Sequence, residues 1–178
     1  RVFLSLVIAP PARPQEDQRF RTEKVEITVE TVTGGLQNPW SLAFLPDGRM
    51  LVTERPGQMR LVSPDGQLSG PVSGLPRIAA RGQGGLLDVA LDPDFAANRR
   101  IYLSFAEDRG EGGAGTSVAR AQLAPDGSSL QTVEFIFRQQ PSYAGGNHFG
   151  SRLVFDRQGN LFVTLGDRFA LKAEAENP

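Results

Sequence analysis

The sequence predicts an all-β protein built as a partial β-propeller of about three four-stranded antiparallel blades. Short apolar runs alternate with turns in a chain that has 20 Gly and 13 Pro, a composition typical of many short strands. A strand–turn–strand unit recurs around Asp47, Asp94 and Asp156, which lie 47 and 62 residues apart, and such a period is typical of propeller blades. A glycine-rich loop precedes the first strand of each unit. A β-sandwich is the alternative, but it does not require such a loop in every unit.

The first strands are predicted from alternation and from turn chemistry. Alternating Val25, Ile27 and Val29 predict a half-buried strand within residues 24–32. Pro46-Asp47-Gly48 is a tight turn, because Pro presets φ, Asp bonds the backbone and Gly accepts positive φ. Strands of the first unit are therefore predicted at 42–45, 50–54 and 59–62, followed by a loop at 71–85.

The second and third units repeat this chemistry. Turns are predicted at 92–95, 125–127 and 156–159, and a polar hairpin loop at 110–115. Strands are predicted at 87–91, 100–105, 117–123 and 134–137 in the second unit, and at 153–155 and 160–165 in the third. Because propellers close with about four to eight blades, we expect this chain to be the first half of a longer protein. Association of two copies into one ring is the alternative.

Residues 1–22 are predicted to lie outside the propeller, which is expected to span residues 23–178. An apolar run at 2–9 is followed by a proline-rich stretch and then by polar residues. We interpret residues 1–22 as a signal-peptide remnant with a linker, because the run is too short to span a bilayer; a first β-strand is the alternative. The protein is then expected to be periplasmic or secreted, with its true N-terminus missing.

Charge and composition exclude several kinds of partner and site. The formal net charge is −1, so the chain has no basic field for nucleic acid or an anionic membrane. It has no Cys and 1 His, which leaves neither a disulfide nor a zinc site. Each Pro-Asp-Gly turn offers a single carboxylate, which does not make a calcium loop.

His148 is the candidate general base, because a neutral imidazole in a glycine-rich loop can take a proton near pH 7. Asp167 follows 19 residues later. The intervening hairpin is expected to bring both residues to one end of the blade, where the carboxylate would orient the imidazole. The alternatives are a surface histidine without a role and a turn aspartate.

Three further side chains are weaker candidates. Gln83 stands in the matching loop one unit earlier, where an amide can bind a hydroxyl or carbonyl group, or can simply be exposed. Arg152 begins a strand and is a candidate to meet an anionic group, with an ordinary surface ion pair as the alternative. Arg168 is a weaker candidate of the same kind.

Five motifs, in order, resemble the glucose/sorbosone dehydrogenases, which are soluble aldose sugar dehydrogenases that depend on pyrroloquinoline quinone (PQQ). The motifs are Asn38–Gly48, Leu51–Arg55, Gly82–Ala90, His148–Leu153 and Thr164–Arg168. The resemblance runs from about Val32 to the C-terminus and matches the N-terminal half of such a protein.

The resemblance implies a six-bladed propeller with PQQ and a calcium ion over the channel mouth and the sugar above the quinone. It implies that His148 removes the proton of the anomeric hydroxyl, oriented by Asp167, while hydride passes to the quinone and a lactone forms. An external acceptor then takes the electrons. Gln83 falls on the family's site glutamine, and Arg152 on an arginine that supports the histidine. Asn147 stands where some members have an aspartate, which removes a charge near the sugar.

The resemblance also implies what this chain lacks. The calcium ligands and the cations that contact the quinone carboxylates are expected beyond Pro178, so no metal ligand is expected here and the chain alone is expected to be inactive. A non-enzymatic β-propeller binding domain is the alternative function, although the retention of Gln83, His148 and Asp167 together argues against it. A propeller hydrolase such as a lactonase would need a carboxylate-rich metal site, which the loops do not offer.

Overall fold

The computed structural model describes residues 18–170 and 172–173. The predicted signal segment at residues 1–17 lies outside these residues. No helix of the described part of the chain is long and apolar enough to cross a membrane. The elements are β1 (Gln18–Arg21), β2 (Glu26–Val29), β3 (Pro39–Phe44), β4 (Met50–Glu54), β5 (Gln58–Val62), β6 (Leu86–Leu91), α1 (Phe95–Asn98), β7 (Arg100–Asp108), β8 (Ala114–Leu123), β9 (Leu130–Arg138), β10 (Gly150–Phe155) and β11 (Leu161–Leu165).

The strands form antiparallel sheets in chain order, which confirms the all-β prediction. β1 pairs with β2, and β3-β4-β5 form what we call the first sheet. β6-β7-β8-β9 form the second sheet, and β10-β11 form the third. Every neighbour in a sheet is also a neighbour in sequence. The turns predicted from Pro, Asp and Gly therefore connect adjacent strands.

Among the sheets of the described residues, only the second has four strands. Beside the first sheet, the Ser69 N–H donates to Leu61 O at 2.8 Å and the Val72 N–H donates to Met59 O at 2.8 Å. Pro71 lies between these donors and has no N–H. A fourth segment thus runs along β5 but is too irregular to form a full ladder.

Two local predictions differ from the structure. Strand β1 lies within the predicted linker, and its residues are exposed along their whole length. It pairs with β2 through backbone hydrogen bonds, and its sequence has no apolar alternation from which a strand could be predicted. The turn predicted at 92–95 continues into α1, because Asp92 Oδ1 accepts hydrogen bonds from Asp94 N at 3.0 Å and Asn98 Nδ2 at 2.9 Å. The assignment of residues 1–22 as signal remnant and linker stays a prediction.

The second sheet is packed between the first and third sheets. Its contact with the first sheet holds the largest apolar core, which includes Leu51, Leu86 and Phe105. Tyr102 and Leu153 belong to a smaller core between the second and third sheets. The first strands of the three sheets are neighbours, with β6 between β3 and β10. This stacking brings the loops that precede these strands together.

Candidate active site

The β10–β11 hairpin places His148 and Asp167 side by side. Gly150 and Leu165 are paired across the two strands, so the residues two positions beyond each of them leave the hairpin at the same end. His148 Nδ1 lies 2.6 Å from Asp167 Oδ1. The His148 side chain is 41% exposed, so the ring is held on one edge and reaches solvent. The geometry is that of an imidazole oriented by a carboxylate.

The Asp167 carboxylate is stabilised in its charged form. The Phe169 N–H donates to Asp167 Oδ1 at 2.9 Å, and that hydrogen bond, followed by the one with His148, lowers the pKa of Asp167 below its usual value. The ring of Phe169 also meets His148 edge to face, with centroids 5.3 Å apart. A charged carboxylate at Nδ1 favours the tautomer with the proton on Nδ1, which leaves the lone pair on Nε2.

Gln83, in the matching loop one unit earlier, contacts the histidine loop. The His148 N–H donates to Gln83 Oε1 at 2.9 Å, and the Gln83 N–H donates to Gly146 O at 2.7 Å. The side-chain oxygen of Gln83 is thus engaged by the protein backbone. The amide nitrogen is the part of Gln83 that can serve an incoming group.

Arg152 lies near the same end but is engaged by other sheets. Its Nη1 donates to Asp88 Oδ1 at 3.0 Å, and its guanidinium carbon lies 5.1 Å from the ring centroid of Trp40. The arrangement supports a structural role for Arg152. Its predicted contact with substrate or cofactor stays a prediction.

Asp88 is the residue that the sequence analysis missed. It is 2% exposed, and it accepts hydrogen bonds from Ser41 Oγ at 2.5 Å and from Leu153 N at 2.7 Å. These donors lie on β3 and β10, so the carboxylate joins the first strands of three sheets. The available signal was a single charged residue inside the apolar run 86–91, since a buried charge needs partners.

Asn147 and Arg168 complete the surroundings of His148. Asn147 is exposed, and its carbonyl oxygen accepts a hydrogen bond from Arg168 Nε at 3.0 Å. Arg168 is buried, which corrects the expectation of a surface residue that meets an anion or makes an ion pair. Among the described residues, no group of three or more His, Cys, Asp or Glu side chains is placed to hold a metal ion.

Comparison with known proteins gives the family. The model of the glucose/sorbosone dehydrogenase family matches residues 36–178. The aldose sugar dehydrogenase YliI of Escherichia coli is 49% identical over 142 residues, which are 79% of this chain and 38% of that protein. The chain therefore spans well under half the length of this relative.

Solved structures of aldose sugar dehydrogenases are also similar to this chain. The soluble aldose sugar dehydrogenase of Escherichia coli in its apo form has a TM-score of 0.76 at 48% identity, over 80% of this chain and 41% of that one. The PQQ-bound aldose sugar dehydrogenase of Streptomyces coelicolor has a TM-score of 0.68 at 28% identity, over 90% of this chain and 44% of that one. These comparisons confirm the partial propeller and the family resemblance. The chain belongs to the glucose/sorbosone dehydrogenase family.

Proposed function

We propose that this chain supplies the general base and its orienting carboxylate to the active site of a PQQ-dependent dehydrogenase that oxidises aldose sugars at the anomeric carbon. The observation that carries the proposal is the 2.6 Å contact between His148 Nδ1 and Asp167 Oδ1 at the exposed end of the β10–β11 hairpin. The names of the relatives support the substrate class, since they are aldose sugar dehydrogenases. Because the chain covers 38% of the YliI relative, the activity is proposed for the longer protein.

In the proposed reaction, His148 Nε2 takes the proton of the anomeric hydroxyl. Asp167 Oδ1 accepts a hydrogen bond from Nδ1–H throughout, and the charge of the carboxylate stabilises the imidazolium that forms. The sugar loses this proton from O1 and a hydride from C1, so C1 is oxidised by two electrons and a lactone results. Gln83 fixes the backbone of His148 and leaves its amide NH₂ for a sugar oxygen or a cofactor carbonyl.

We propose that the described residues form one side of a PQQ site. When bound, PQQ supplies the two-electron acceptor for the hydride. PQQ carries carboxylates, and Lys172 places an ammonium 5.0 Å from the ring centroid of Phe169, which itself contacts His148. Gln83 and Lys172 are the groups of this chain that would contact the cofactor, and Lys172 would add to the cations expected beyond Pro178. Arg152 and Arg168 already have protein partners. Calcium, an external electron acceptor and a periplasmic or secreted location are proposed with the function, from the family resemblance.

The test is His148→Ala in the full-length protein, assayed with PQQ, calcium, an aldose and a dye acceptor. Loss of a general base lowers the rate by roughly 10²- to 10⁴-fold, so kcat should fall by that factor. Gln158→Ala is the matched control, because Gln158 is exposed in the turn at the other end of the same hairpin. The 178-residue chain without the rest of the protein should give no dye reduction.

Two outcomes would overturn the proposal. A wild-type kcat in His148→Ala would show that His148 is not the base. Turnover by the 178-residue chain alone would show that no later part of the protein is required. A non-enzymatic binding propeller would give no sugar-dependent dye reduction in any variant.

A further inference from the structure

Arg168 is a buried cation held by backbone carbonyl groups. It is 2% exposed, and its guanidinium donates to Asn147 O at 3.0 Å, Ala114 O at 2.8 Å and Gly145 O at 2.5 Å. Within residues 18–170 and 172–173, no carboxylate forms an ion pair with it. Burial, together with nearby Arg109 and Arg81, lowers the pKa of Arg168.

A buried charge of this kind is costly. Burying an ion removes its hydration, and hydrogen bonds to the charge offset that loss only when their geometry is good. An apolar side chain of similar volume would fill the same space without that penalty. What the guanidinium adds is orientation, because its planar fork fixes three carbonyl groups at once.

The three carbonyl groups belong to two different parts of the fold. Gly145 and Asn147 lie in the loop that carries His148, whereas Ala114 begins β8 in the second sheet. Arg168 therefore ties the glycine-rich loop to a strand that is hydrogen-bonded on both sides. Such a tie fixes where the loop sits relative to the rest of the site.

Arg168 also acts on both neighbours of His148. It binds the carbonyl of Asn147 before the histidine, and its guanidinium carbon lies 3.8 Å from the ring centroid of Phe149 after it. The backbone N–H of Arg168 donates to His148 O at 3.3 Å. These contacts hold the main chain on each side of the imidazole.

His148 needs such support because of its own backbone. Its φ is 50°, and a residue other than Gly in the left-handed region is strained, so this conformation persists only where the surroundings hold it. We propose that Arg168 is a positioning residue that holds His148 in this conformation, with Nδ1 on Asp167 and Nε2 free for substrate. The inference rests on the proposed role of His148 as the base.

The test uses Arg168→Ala, Arg168→Met and Arg168→Lys in the full-length protein loaded with PQQ. Misplacing a catalytic group by about 1 Å costs roughly 10²-fold, so each variant should lose about that factor in kcat with KM nearly unchanged. Lysine should not restore activity, because one ammonium on a flexible stem cannot present three planar donors. Added guanidinium ion should restore kcat in Arg168→Ala at least several-fold, whereas methylammonium should not. Arg77→Ala is the control, since the Arg77 side chain is 82% exposed.

A second readout does not depend on turnover. Long-range ¹H–¹⁵N spectra of protein labelled at histidine show which ring nitrogen carries the proton, and the His148 signal is assigned by its loss in His148→Gln. In alkaline buffer the wild type should show the Nδ1–H form that Asp167 selects. Arg168→Ala and Arg168→Met should move toward the Nε2–H form, and guanidinium ion should reverse the change in Arg168→Ala.

The outcomes separate the two proposals. A folded Arg168→Met protein with the wild-type tautomer and wild-type kcat overturns the positioning role, and so does full activity in Arg168→Lys. If the Arg168 variants change the tautomer of His148 but the full-length wild type does not oxidise aldoses, the positioning role stands and the proposed function is overturned. If Arg168→Ala does not fold, the volume-matched Arg168→Met provides the same comparison.

Discussion

At the scale of single residues, the site depends on backbone positions that few residues tolerate. His148 has a φ of 50°, and Arg168 and Phe169 have φ values of 53° and 66°. Gly166, which precedes Asp167, lies directly against the main chain of His148. The two segments that carry the base and its carboxylate therefore approach each other as backbones, before any side chain is placed.

Gly166→Ala is expected to lower kcat by roughly 10²-fold, because a displacement of about 1 Å at a catalytic group has that effect. A Cβ at this position would overlap the carbonyl oxygen of His148, so one of the two segments must move. The measurement is steady-state sugar oxidation by the full-length protein. Gly34→Ala is the matched control, because nothing lies within 4 Å of a Cβ built there. Equal kcat for both variants would contradict the close approach.

At the scale of elements, the second sheet is held together near the loop end of its β7–β8 hairpin. Glu107 on β7 accepts hydrogen bonds from Ser117 Oγ at 2.7 Å, Arg138 Nε at 3.0 Å and Arg109 Nε at 3.2 Å. Burial by itself raises the pKa of Glu107, but the hydrogen bonds from Ser117 and Arg138 outweigh it and hold the pKa below its usual value. One carboxylate thus joins β7, β8 and β9.

Glu107→Gln is expected to reduce the free energy of unfolding by about 2 kcal/mol at neutral pH, the usual scale for hydrogen bonds to a charged group. Because the folded-state pKa is lowered, this stabilisation is present above the unfolded pKa of about 4.3 and is lost as the pH falls through the folded value. Urea denaturation at several pH values should show the two proteins converging in acid. Glu111→Gln, in the exposed hairpin loop, should have little effect at any pH. A difference that persists unchanged in acid would exclude the charge as its cause.

At the scale of the whole molecule, the sheets are held together by polar contacts as well as by apolar cores. Asp88 receives hydrogen bonds from the first and third sheets, and Thr53 Oγ1 of the first sheet donates to Leu87 O at 2.6 Å. Ser104 Oγ of the second sheet donates to Ser151 O at 2.5 Å. Asp88, Leu87 and Ser151 lie on the first strands of their sheets, so these contacts set how the loops at the candidate site meet.

Asp88→Asn is expected to lower the free energy of unfolding by about 2 kcal/mol, because one oxygen is replaced by a donor that faces other donors. Both the stability and kcat should fall, since the change loosens the third sheet, which carries His148, from the second. Chemical denaturation and sugar oxidation in the full-length protein measure the two effects. Asp94→Asn is the control, because Asp94 is exposed and its side chain makes no cap hydrogen bond to α1. Wild-type stability in Asp88→Asn would show that the carboxylate does not join the sheets.

The sequence by itself determined what depends on neighbours along the chain. Alternation and Pro-Asp-Gly turns predicted the strands and their antiparallel pairing, and the β10–β11 hairpin alone predicted that His148 and Asp167 meet. A local turn sets the register of a hairpin, so the sequence near the turn predicts which residues of the two strands are paired.

Only the tertiary structure decided what depends on how the sheets stack. Asp88 and Leu153 lie 65 residues apart, and Arg168 and Ala114 lie 54 apart, so neither contact has a local signature. The burial of Arg168 follows from the packing of the histidine loop against the second sheet, which turned an expected surface arginine into an interior one. The difference is physical: hydrogen-bond ladders follow the chain, whereas a buried charge finds its partners only after separate sheets have packed together.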